Sequence, residues 1–185
     1  MSDLEEQRPG ISRRTVAKAA AWSVPVVALA VSTPAYAASP GIITLDGTGC
    51  KLPGNSASTY KGYAFSATIT NDFNVPITVT ITSATLGGAD LGGVAVVNLD
   101  TCQGTAGSFV IAPNTTYPNI AIVTQNAPNS QNNTLTLNYT ISGGPGGSEA
   151  VSASVPAVPP AQGESCSGFT AAQKLCLLSL IIGTP

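Results

Sequence analysis

Four cysteines, Cys50, Cys102, Cys166 and Cys176, are the residues of this chain best suited to covalent chemistry. An even count permits two disulfides, and four cysteines allow three pairings. Cys50 and Cys102 both fall in a strand-rich stretch, whereas Cys166 and Cys176 lie in the last segment. That grouping favours Cys50–Cys102 and Cys166–Cys176. Zinc is the competing use of four thiolates, but no two of them have the close C-x-x-C spacing of such a site. No metal ligand is therefore assigned.

Acid–base chemistry has less to work with. The chain contains no histidine, which removes the commonest general base and transition-metal ligand. Serine-based hydrolysis fails with it. Asp46, Asp72, Asp90 and Asp100 stand beside Gly, Asn or strand ends, where Asp holds turns together through its own backbone. They do not form the D-x-D-x-D-G loop that calcium requires. The glycine runs at Gly92-Gly93 and Gly143–Gly147 precede no helix bearing a lysine, so no phosphate loop and no cofactor are expected. One covalent option remains open: Lys61 could join the side chain of Asn138 with Glu149 assisting. No catalytic residue is assigned.

Charge narrows the partners. Only 9% of residues are charged, against roughly 25% in an ordinary soluble domain. Beyond residue 37 the only basic residues are Lys51, Lys61 and Lys174. Six acids (Asp46, Asp72, Asp90, Asp100, Glu149 and Glu164) leave that part at a net charge of −3. Phosphate neutralisation needs clustered Lys or Arg, so a nucleic-acid partner is not expected.

The other positive charges lie in a segment of a different kind. Arg13-Arg14-Thr15-Val16-Ala17-Lys18 is followed by an apolar run from Ala19 to Val31. Ala35 and Ala37 then supply the small-x-small pattern read by signal peptidase, with Ala38 as the first residue after the cut. This arrangement resembles a twin-arginine (Tat) signal peptide, of the kind found on actinobacterial secreted and cell-wall proteins. The resemblance covers residues 1–37. It implies the twin-arginine translocase and signal peptidase as export partners, Arg13, Arg14 and Lys18 as the export signal, and export of an already folded chain. The apolar run is short of the ~20 residues of a membrane helix, so no stable span is expected after cleavage.

The elements that must position these residues are strands. Large apolar residues alternate with small or polar ones over Tyr63–Ile69, Val75–Thr82 and Leu135–Ile141, the period of a half-buried strand. Asp72-Phe73-Asn74 reads as a hairpin joining the first two. Weaker strands are expected at Ile42–Asp46, Val94–Asn98, Ser108–Ala112, Asn119–Gln125 and Glu149–Val155. Seven or eight short strands with turn residues between them predict an all-β, immunoglobulin-like antiparallel β-sandwich over residues 38–158, with a barrel as the alternative. A Pro-rich linker and cysteine-containing tail occupy residues 159–185. In it Phe169–Leu178 is rich in helix formers, with Thr170 placed to cap a short helix.

The tail ends in Leu175, Leu177, Leu178, Leu180, Ile181 and Ile182, which are too apolar to remain in water. It is expected to fold back on its own sandwich or to dock on a partner. The pattern as a whole predicts an exported, non-catalytic cell-envelope or secreted protein with a structural, adhesion or binding role. An envelope protein or a carbohydrate is the expected partner. A secreted enzyme or accessory with paired carboxylates, or a secreted inhibitor or signalling domain, is the alternative.

Overall fold

The computed structural model describes residues 41–53, 59–128, 132–144, 146–161, 166 and 168–180. The chain divides into units of residues 1–39 and 40–185, and the described residues belong to the second. The export-signal residues Arg13, Arg14, Lys18, Ala35, Ala37 and Ala38 lie outside them, as do Glu164, Ile181 and Ile182.

Ten strands and one helix are described: β1 (Ile43–Lys51), β2 (Tyr63–Asn71), β3 (Ile77–Leu86), β4 (Ala89–Asp90), β5 (Val94–Asn98), β6 (Gln103–Ala106), β7 (Ser108–Ile111), β8 (Thr115–Thr124), β9 (Asn133–Ser142), β10 (Gly147–Val155) and α1 (Ala171–Ser179). The first sheet runs β1-β2-β8-β5-β6 and the second β10-β9-β3-β4, with β7 also pairing β3. Every ladder is antiparallel. The result is the all-β, immunoglobulin-like sandwich expected, with a short disulfide-clipped helical tail.

The main core lies between the sheets. Tyr63, Phe65 and Ile69 of β2 meet Ile77, Val79 and Leu86 of β3 and Leu135, Leu137 and Tyr139 of β9. The alternation that predicted β2 and β9 holds along their length. In β3 it does not, because Thr82 is an extra residue between the Ile81–Tyr139 and Ser83–Asn138 pairs. A bulge of this kind moves the following residues to the opposite face. Ile77 and Val79 therefore point inward before it, and Ala84 and Leu86 after it.

Two expectations about this region are corrected. Asp72-Phe73-Asn74 is no hairpin: β2 and β3 belong to different sheets, and the chain crosses between them there. Val75 lies before the strand and is 39% exposed. Asn71 organises the crossing. Fully buried, it donates to the carbonyls of Val75, Ile111 and Ala112 at 2.9–3.2 Å and accepts from Phe73 N at 3.0 Å. Each polar group is thus satisfied, as burial demands.

β8 is longer than its sequence pattern indicated. The expected start was Asn119, and Pro118 before it cannot donate to a ladder. Here it sits where the register with β2 slips between the Ile120–Ala67 and Tyr117–Ile69 pairs, and the strand continues back to Thr115.

Candidate functional site

The middle of the first sheet is apolar on both faces. Val94 and Val96 of β5 and Ile120 and Ile122 of β8 face the main core. Between them, Ala95, Val97, Ala121 and Val123 face outward, beside Cys50 and Ala64. All are buried, because the tail covers that outer face and builds a second core there with Ala161, Cys166, Phe169, Cys176 and Leu177. Alanines at Ala64, Ala95 and Ala121 leave room for the tail to approach closely. Of the two outcomes expected for it, the tail folds back on its own sandwich.

Its path explains how. After β10, Val158 inserts into the main core. Lys51 N then donates to Pro159 O at 2.7 Å and Ala161 N to Lys51 O at 2.8 Å, so the linker pairs with the end of β1. Thr170 caps α1 as its sequence predicted, its hydroxyl accepting from Gln173 N while Gln173 reaches back to Thr170 N. This reciprocal box satisfies two donors the helix cannot. Gln173 Nε2 donates to Asn119 Oδ1 at 3.3 Å and Lys174 Nζ to the Cys166 carbonyl at 3.2 Å, tying α1 to β8 and to the tail's own start. Leu177 is buried, but Leu175 is 69% exposed; it lies on the opposite side of the helix and does not find the cover expected of it.

The disulfide pairing differs from the expectation. Cys50 joins Cys166 and Cys102 joins Cys176, with Cα separations of 5.7 and 5.5 Å. Sequence grouping had put both bonds within their own segments, whereas both link the tail to the sandwich. The reason is the fold-back, which sets each tail cysteine against the first sheet. Cys102 meets its partner from the β5–β6 turn with φ of 54°, a left-handed conformation that costs a non-glycine residue roughly 1–2 kcal/mol. Asn98 supports this turn, its Oδ1 accepting from Asp100 N and Thr101 N. Among the described residues no cysteine is free, so none presents a thiolate.

Three of the aspartates are engaged locally. Asp46 accepts from Ser66 Oγ at 2.7 Å, Asp90 from Gly92 N at 2.9 Å and Asp100 from Asn119 Nδ2 at 2.9 Å. A cleft of about 450 Å³ lies beside the ends of β1 and β8, lined by Lys51, Lys61, Asp90, Gln125 and Asn126 together with Leu52, Ala127 and Pro128. It brings together two of the three lysines beyond residue 37 and could hold a small anion or a polyol. Among the described residues it contains one carboxylate, Asp90, not the pair that glycoside hydrolysis uses. No group of metal-ligating side chains is found among the described residues.

Glu149 accepts from the Tyr139 hydroxyl at 2.6 Å. Burial, then the hydrogen bond to Glu149 and its negative charge, push the Tyr139 phenol far above its ordinary value; the Ile42 and Ile43 backbone pulls the other way, more weakly. A phenol so held stays protonated and acts as a donor. The pairing also separates the Lys61–Asn138–Glu149 set. Asn138 faces outward on the second sheet and donates to Ser83 Oγ, Glu149 is engaged with Tyr139, and Lys61 lines the cleft beside the first sheet. The side-chain amide bond considered from sequence is not assembled.

The residues that sequence reasoning missed are those of the tail's seat. Their signal was present: Val94–Val97 and Ile120–Val123 are unbroken apolar runs, the mark of strands covered on both faces. A scan of protein families finds no match to this chain. A search of curated proteins likewise finds none.

Proposed function

We propose that this chain is an exported, non-catalytic protein of the cell envelope or the secreted fraction, with a structural or binding role. The two long-range disulfides carry the reading. They close sequence separations of 116 and 74 residues, and such bonds persist in oxidising compartments outside the cytoplasm. None of the described helices is long and apolar enough to cross a membrane.

Export through the twin-arginine translocase also suits the way the tail is held. That route carries a folded chain out of a reducing cytoplasm. Phe169 and Leu177 seat the tail by apolar packing, which needs no oxidant, so docking precedes cross-linking and the bonds then lock it. The outer face of the second sheet supplies a surface for an envelope protein or a carbohydrate. Ser148, Thr140, Thr80 and Ser108 stand in one row across four strands there.

The test is export itself. Replacing both Arg13 and Arg14 with Lys removes the planar guanidinium groups that such a receptor reads and is expected to leave an uncleaved, unoxidised precursor in the cytoplasm. The wild-type protein is expected outside it, beginning at Ala38 and without free thiols. Unimpaired secretion of the double variant would reject the twin-arginine route. Wild-type protein found only in the cytoplasm with four titratable thiols would reject export altogether.

A further inference from the structure

At the side of the sandwich where β6 ends and β7 begins, the chain passes from the first sheet to the second at Gly107, with φ of 75°. The crossing spans the space between the sheets without filling it, and a slot of about 200 Å³ opens there. Its floor is the main core, reached at Ile69, Ile111 and Ile120. Phe109 and Tyr117 form half-buried walls. On the far side of the sandwich β1 lies against β10, so close that a Cβ on Gly47 would stand 2.8 Å from the Ser154 carbonyl.

The lining defines the ligand. Among the described residues no charged side chain lines the slot, and an ion entering it would lose its hydration without gaining a partner there. An apolar cavity of about 150 Å³ accepts benzene, so this one accommodates a single six-membered ring. At the mouth, Asn98 has committed its Oδ1 to Asp100 N and Thr101 N, which leaves its NH2 group as the donor it offers. Gln103 and Thr105 add an amide and a hydroxyl beside it. Val110, 67% exposed, extends the apolar wall outward.

We propose that this slot binds the uncharged aromatic ring of a small molecule bearing a hydrogen-bond acceptor next to the ring. The ring lies against Phe109 and Tyr117, and the acceptor meets the Asn98 amide.

Benzyl alcohol is the probe, with benzylamine and benzoate as charged matches, followed by 1H–15N NMR of the oxidised protein. Benzyl alcohol is expected to give saturable shifts confined to residues around the slot, and to bind at least about tenfold more tightly than either ion. Thr105→Trp, which plugs the mouth, is expected to weaken it by about tenfold or more, whereas Thr44→Trp on the remote strand β1 leaves it unchanged. Gln103→Trp serves if the first variant does not fold. Shifts scattered over the surface, equal binding of the three probes, or a plugged variant that binds as before would each overturn the assignment.

Discussion

The two sheets were assembled from similar strands but ended in different surroundings. In the second sheet, β9 keeps one face dry and one wet, and the wet face of the sheet carries hydroxyls and amides: Thr136 with Ser152, Asn138 with Ser83, Thr80 with Ser108. In the first sheet, residues 94–97 of β5 and 120–124 of β8 are dry on both faces. Its outer face is covered by a tail that its own disulfides hold in place. An antiparallel sheet tolerates one solvated face, so the second needs no cover. The first had to acquire one, because its outward side chains are Ala and Val rather than Thr and Ser. The tail is thus a third layer of the fold, and a small domain with few charges gains a second core.

Removing that layer is the strongest way to break the comparison. Deletion of residues 162–185 abolishes both cross-links, and a disulfide closing a loop on the order of 100 residues is worth about 4–5 kcal/mol on the chain-entropy estimate. It also uncovers the surface beneath Phe169 and Leu177, at roughly 1.5–3 kcal/mol for each buried side chain. Calorimetry is expected to show a melting temperature lower by at least about 20 °C. Unchanged melting would mean that the first sheet has no need of its cover.

Matched substitutions sharpen the contrast. Val123→Asp places a carboxylate under the tail and is expected to cost about 4 kcal/mol in urea unfolding, since the charge is buried without a partner. Thr140→Asp makes the corresponding change on the open face of the second sheet and is expected to stay within about 0.5 kcal/mol. Equal costs would erase the distinction between covered and open faces.

The joint between the sheets comes next. Asn71→Leu leaves the carbonyls of Val75, Ile111 and Ala112 without their side-chain donor, and a cost of about 2–3 kcal/mol is expected. A neutral result would show that the crossing holds without its buried amide.

The smallest effect concerns Tyr139, whose phenol ordinarily titrates at 10.0 and is raised in the fold, first by burial and then by Glu149. An acid with a raised folded pKa stabilises fully below its unfolded value, and that contribution is lost as pH rises beyond it. Stability is therefore expected to fall above about pH 10. Tyr139→Phe is expected to flatten that fall while costing about 1 kcal/mol at neutral pH through the lost hydrogen bond. If the variant and the wild type lose stability in parallel above pH 10, another group is responsible.

Much of this comparison was written locally and some of it was not. By itself the sequence determined β9, because alternation over Leu135–Ile141 records a single dry face. It also determined the capped helix, because Thr170 and Gln173 act within one turn. Tertiary structure decided the rest. The same two-residue period cannot say which sheet a strand joins, so β2 and β3 read as a hairpin although Asn71 sends them apart. The runs at Val94–Val97 and Ile120–Val123 state that both faces are covered but not by what. Cysteine pairing depends on distance in space, and once the tail crosses the first sheet, Cys166 and Cys176 lie against residues 116 and 74 positions earlier in the chain. Local periodicity records how wet each residue will be; only packing decides which residues meet.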